Sequence, residues 1–224
     1  FSLRDISRSG RPPDASPISW NGDGPALTGR YQISRSRSAH LIDATWWQAR
    51  NFSYVGPTRS VTALADDASS RFDARYEYRR YFWRDLAADG FDLGVGLQGI
   101  GSRTSIERHI TGSFATTSRM AGGGGAAAIV ARLRRWDRVH IDASWANGAI
   151  VSARSAEHSA VPEAAESFSG GNFLSDTAVR IDWRVTRATR VEVTWRRYFE
   201  MYGSDHYSYT SVWQSLNVGM LYAR

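Results

Sequence analysis

The sequence predicts an all-β fold, an eight-stranded antiparallel up-and-down transmembrane β-barrel, and three observations carry that reading. Apolar and polar residues alternate with period two from about Thr28 to the C-terminus, while capped segments of helical periodicity are hard to find. The alternating stretches come in pairs joined by short polar turns. Longer links separate the pairs, and tight turns at one end with longer loops at the other are the asymmetry of a membrane barrel.

Residues 1–27 are polar and carry Pro12, Pro13, Pro17 and Pro25 among several Gly and Ser, which reads as an extended periplasmic arm outside the barrel. The barrel domain is 28–224. Its first strand falls somewhere within Thr28 to Asn51, with the register open, because Arg35 and Arg37 share parity with Tyr31 and Ile33. Next comes a hairpin in which Phe72, Ala74, Tyr76 and Tyr78 oppose Asp73, Arg75, Glu77 and Arg79. After a turn around Arg84 to Gly90, Phe91, Leu93, Val95 and Leu97 oppose Asp92, Gly94, Gly96 and Gln98.

In the second hairpin Ile129, Ala131 and Leu133 alternate with Val130, Arg132 and Arg134, and Val139, Ile141, Ala143 and Trp145 with His140, Asp142, Ser144 and Ala146. The third sets Val179, Ile181, Trp183 and Val185 against Ala178, Arg180, Asp182 and Arg184. It turns at Thr186 to Thr189 and returns with Val191, Val193 and Trp195 against Arg190, Glu192, Thr194 and Arg196. A last strand, Val212 to Arg224, makes eight. Links are expected at about Asn51–Ser70, His109–Arg119, Arg154–Asn172 and Tyr202–His206. An even count puts both termini in the periplasm.

Among the 224 residues no run of about 18 or more is apolar, so no transmembrane helix is expected. The absence of Cys excludes disulfides, thiolate metal sites and covalently attached c-type haem. The formal charge is +6, and all 28 basic residues are Arg. They are spread along the chain and not gathered into a patch, which argues against a nucleic-acid partner. Arginine suits a buried polar lattice, since its planar fork holds carboxylates bidentately and keeps its charge.

Alternation alone does not say which face is inside, and a soluble lipocalin-like ligand-binding barrel is the rival. Three features favour the membrane. Aromatic residues gather near strand ends, at Tyr81, Phe82 and Trp83, at Trp136, at Tyr198 and Phe199, and at Tyr222, as interfacial girdles would. Charges of both signs share one face in Arg75-x-Glu77-x-Arg79, Arg180-x-Asp182-x-Arg184 and Arg190-x-Glu192-x-x-x-Arg196, as in a narrow lumen filled by ion pairs. Gly94 and Gly96 fall on that face, where they leave room for arginines arriving from opposite strands.

The segment Val218-Gly219-Met220-Leu221-Tyr222-Ala223-Arg224 resembles the terminal strand of small bacterial outer-membrane barrels of the OmpA and OmpX type, though that pattern ends in an aromatic and this one in Arg224. The resemblance implies an outer-membrane location, with membrane lipid and lipopolysaccharide as neighbours. Because some such barrels modify lipid A, it directs attention to His109 with Ser113, His158 with Ser159 and His206 with Ser208. None lies in a catalytic motif, and no enzymatic role is expected.

The candidate lumen network is Arg75, Glu77, Arg79, His140, Asp142, Arg180, Asp182, Arg184, Arg190, Glu192 and Arg196. His140-x-Asp142 is poor metal spacing and reads as part of a hydrogen-bonded plug, with no metal or other cofactor. Gly122, Gly123, Gly124 and Gly125 form a strand face smooth enough for another envelope protein to dock, with the N-terminal arm as a second contact. Tyr202, His206, Tyr207 and Tyr209 are a candidate external-rim binding cluster for a glycan or a protein. These features point to a non-enzymatic barrel with a plugged polar lumen, serving envelope structure or anchoring a larger assembly.

Overall fold

Twelve strand segments make up the regular structure of the computed structural model, which describes residues 2–6, 18–55, 61–64, 68–83, 90–110, 114–136, 138–158, 166–203 and 208–222. They are β1 (Ser2–Ile6), β2 (Ile18–Asp23), β3 (Ala26–Ser34), β4 (Ser38–Val55), β5 (Val61–Leu64), β6 (Ala68–Tyr81), β7 (Gly90–Ile110), β8 (Phe114–Arg135), β9 (Val139–His158), β10 (Glu166–Arg184), β11 (Thr189–Gly203) and β12 (Ser208–Tyr222). Every pairing is antiparallel, and from β6 to β12 each strand pairs with the next in sequence.

The pairing also closes into a ring. β1 lies between β12 and β2, with Ser2 opposite both Val212 and Asn21, and β2 lies between β1 and β4. β2 and β3 act as one strand against β4, from Ser19–Val55 to Ser34–Ala39, interrupted at Gly24-Pro25, where the proline has no N–H for the ladder. The ring therefore contains β1, the β2–β3 strand, β4 and β6 through β12, ten strands among the described residues. Past Ser2 towards the short turns, β3 and β12 lie beside each other with no ladder bonds between them among the described residues.

Ten strands replace the eight expected, for two reasons. Residues 28–51 hold two strands, because Arg35 and Arg37 belong to a tight turn in which the Arg35 N–H donates to the Ser38 carbonyl at 2.7 Å. The polar segment expected as an arm supplies β1 and β2, whose backbone groups join the sheet whatever their side chains. Strands also outrun their apolar pattern, as β7 extends to Ile110 and β8 begins at Phe114. Alternation marks only the stretch where one face meets an apolar medium, whereas hydrogen bonding continues beyond it.

Two further short turns are built locally. At 185–188 the Thr186 hydroxyl oxygen accepts from the Ala188 and Thr189 N–H groups. Between β8 and β9 the Arg138 N–H donates to the Arg135 carbonyl and Trp136 takes φ 52°, the left-handed conformation that reverses the chain.

Tyr76, Leu97, Ile129, Trp145, Ile181 and Val218 are exposed on the outer face, while Arg75, Asp92, Arg180, Asp182 and Arg196 are buried inside. The soluble alternative requires the reverse arrangement and is overturned by this facing.

Candidate functional site: a charged plug in the lumen

The buried carboxylates and guanidinium groups interlock along strands, between paired strands and across the barrel, where they join strands that are not neighbours in the sheet. Nearest the long-link end, Arg71 on β6 donates from Nε to Asp73 at 2.8 Å and from Nη1 to Glu200 on β11 at 3.0 Å. Its guanidinium carbon lies 4.3 Å from the Tyr198 ring centroid, and Trp47, which packs edge-on to Trp213, donates to Asp73 at 3.1 Å.

One layer down, Asp176 on β10 accepts from Arg75 on β6, from Arg196 Nε at 2.9 Å and from Gln98 Nε2 on β7 at 3.1 Å. Below it Arg30 on β3 bridges Asp43 at 2.6 Å and Glu192 on β11 at 2.7 Å. Arg180 joins Asp142 on β9 at 2.9 Å to the Gln32 side-chain Oε1 on β3 at 3.0 Å. Arg79 forks onto Glu77 at 2.9 and 3.1 Å. At the short-turn end Arg132 binds Asp92 at 2.7 Å and covers the Tyr81 ring at 3.9 Å, and Arg190 meets His140 Nδ1 at 2.6 Å.

The long side chains come mainly from β3, β4, β6, β10 and β11. Facing them, β7, β8 and β9 offer Gly96, Ala126, Ala128, Ala146 and Gly148, so one wall is thin where the other is thick. A Cβ on Gly94 would collide with the Arg80 carbonyl of the adjacent strand, and one on Gly96 would lie 3.0 Å from the Tyr78 carbonyl and 3.4 Å from Glu77 Oε1, so backbone approach, and not an arriving arginine, comes first at both. Between Arg30, Asp43, Arg75, Glu77, Arg79 and Arg180 remains a void of about 20 Å³, room for about one water molecule.

Of the expected network, Arg75, Glu77, Arg79, Asp142, Arg180, Asp182, Glu192 and Arg196 face the lumen together, while His140, Arg184 and Arg190 are partly buried near the short turns. Sequence reading omitted Arg71, Asp176 and Glu200, which continue the same parity past the ends then assigned, left Asp73 out of the network though it placed it on the polar face, and missed Arg30 and Asp43, hidden by the merged first strand. In the Gly122–Gly125 run, Gly123 and Gly125 are exposed outward, while a Cβ on Gly124 would strike the Ala149 carbonyl of β9. The side chains of Tyr202, His206, Tyr207 and Tyr209, and those of His109 and His158, lie outside the described residues. So do Ser113 and Ser159, while Ser208 opens β12.

No protein-family model and no curated protein matches the chain. Among solved structures it is similar to the outer membrane protease OmpT from Escherichia coli, with a TM-score of 0.71 at 11% identity, over 99% of this chain and 91% of that one. Ail, the attachment invasion locus protein of Yersinia pestis, matches over 84% of this chain and 99% of its own at 13% identity, with a TM-score of 0.32. Its complex with the heparin analogue sucrose octasulfate matches with a TM-score of 0.36. The likeness to OmpT shows the fold: an antiparallel up-and-down β-sheet of the outer-membrane barrel type.

Proposed function

We propose that this chain is a non-enzymatic bacterial outer-membrane barrel with a closed lumen, both termini periplasmic, that serves envelope structure or anchors a larger outer-membrane assembly. The observation that carries this reading is the ladder in which Arg71 reaches Glu200, Arg75 reaches Asp176, Arg30 reaches Glu192 and Arg180 reaches Gln32, with room for about one water in the void between Arg30, Asp43, Arg75 and Arg180. A ring of ten strands would enclose more space than one of eight, and here large charged side chains occupy it. The outward Gly123 and Gly125, and the bare positions Gly99 and Gly101 beside them, support a face on which another envelope protein docks.

The test begins with fractionation and electrophoresis with and without boiling, then reconstitution into planar bilayers. The protein is expected in the outer-membrane fraction, migrating differently after heating and passing no steady ionic current. A steady conductance from the unaltered protein would overturn the closed lumen. OmpT is a protease, and peptide cleavage or lipid A modification by the purified barrel, abolished by alanine at His109, His158 or His206, would overturn the non-enzymatic role.

A further inference from the structure

We infer that the short-turn end carries a collar that binds the headgroups of anionic glycerophospholipids, an inference that rests on the membrane-barrel reading above. The four short turns and their strand ends, 35–37, 80–90, 134–138 and 184–190, contain ten arginines and three aspartates in the sequence. Arg35, Arg80, Arg135, Arg138 and Arg187 are exposed there and pair with no carboxylate among the described residues. The described carboxylates nearest this end, Asp92, Asp142 and Asp182, are turned into the lumen, where Arg132 and Arg180 hold them.

Two features select a lipid leaflet over an acidic protein. The cations stand at all four turns, so they encircle the barrel instead of marking one docking side. They are also interleaved with outward aromatic rings: Phe82 and Trp83 after β6, Phe91 opening β7, Trp136 beside Arg135, and Trp183 ending β10. Aromatic rings next to cations at one level are what a bilayer interface accommodates, the rings among acyl-chain ends and glycerol and the guanidinium forks on phosphate oxygens. A soluble acidic partner would use the cations and leave the rings uncovered. Each arginine at an anionic surface strengthens association roughly fivefold at ordinary ionic strength, and salt weakens it.

The test uses the full chain in nanodiscs of phosphatidylcholine alone or mixed with phosphatidylglycerol. Readouts are the unfolding temperature and the phosphatidylglycerol retained around the barrel by native mass spectrometry. The expected result is higher stability in the mixed discs and retained phosphatidylglycerol in excess of its bulk share. Both effects are expected to be lost in the triple variant Arg135→Gln, Arg138→Gln, Arg187→Gln and at high salt. The triple variant should keep its stability in phosphatidylcholine, which shows that it folds. A barrel that inserts in both discs but retains no excess phosphatidylglycerol, or a triple variant that keeps the excess, overturns the collar and leaves the barrel reading standing. Insertion in neither disc overturns both.

Discussion

Arg71 on β6 and Glu200 on β11 meet in the middle of the barrel, Nη1 to Oε2 at 3.0 Å, although their strands sit on different sides of the sheet. Both are almost wholly buried, so neither charge has water to fall back on. We expect Arg71→Ala to cost about 3–5 kcal/mol, because Asp73 and Glu200 lose the buried guanidinium they share. Joint replacement of Arg71, Asp73 and Glu200 by apolar residues of similar volume should recover much of that loss. Chemical unfolding in detergent micelles checks both; equal losses for the single and triple variants would refute the ladder.

Asp176 is a second test because it alone serves Arg75, Arg196 and Gln98. Asp176→Asn should destabilise the barrel by about 3 kcal/mol or more, since two buried guanidinium groups lose their shared carboxylate. Asp43→Asn should cost about 1 kcal/mol, because Arg30 keeps Glu192. The difference between the two variants, read from unfolding midpoints, measures how far the plug depends on its shared acceptor.

Glycines on one strand pair should divide by facing. A Cβ on Gly124 would lie 2.6 Å from the Ile150 Cα, and one on Gly148 would lie 2.5 Å from the Ala126 Cα. Alanine at either should cost about 1–3 kcal/mol through overpacking of β8 against β9. Gly99→Ala and Gly101→Ala, whose added methyl groups meet nothing within 4 Å, should leave the unfolding midpoint where it is.

Ile129 provides a test of the surrounding medium. It is 57% exposed, and on a water-facing surface Ile129→Arg would change stability little. In a bilayer the same change should cost about 2–4 kcal/mol near mid-depth. Comparing refolding equilibria in lipid vesicles for the unaltered chain and this variant decides the matter.

The sequence showed most plainly the contrast between the two faces of the sheet. Val179, Ile181, Trp183 and Val185 alternate with Arg180, Asp182 and Arg184 because one face points out of the barrel and the other into the lumen, and the facing, the hairpins and much of the plug could be read from such runs. Where that contrast fades, so does legibility. Residues 28–51 looked like one strand because a turn of Arg and Ser imitates polar alternation, and Arg30 and Asp43 were lost with it. Ser2–Ile6 has too few residues to show a period, and only its two ladders reveal its place. Which carboxylate each arginine takes was hidden where the partner lies across the lumen, as with Arg71 and Glu200 or Arg75 and Asp176, while pairs such as Arg79 and Glu77 lie along one strand.

The ladder between Ser2–Ile6 and Ser208–Val212 ties the first strand of the ring to the last. Until synthesis reaches that last strand the sheet has two raw edges, and rows of unpaired amides and carbonyls have no place in hydrocarbon. On the proposed outer-membrane reading the chain is therefore kept unfolded in water and delivered whole, with its ends brought together at the close of a slow, high-contact-order reaction. A chain cut short before Ser208 has no smaller barrel to settle into; its fate is aggregation or proteolysis, and cellular quality control is what a nonsense mutation late in this gene would meet.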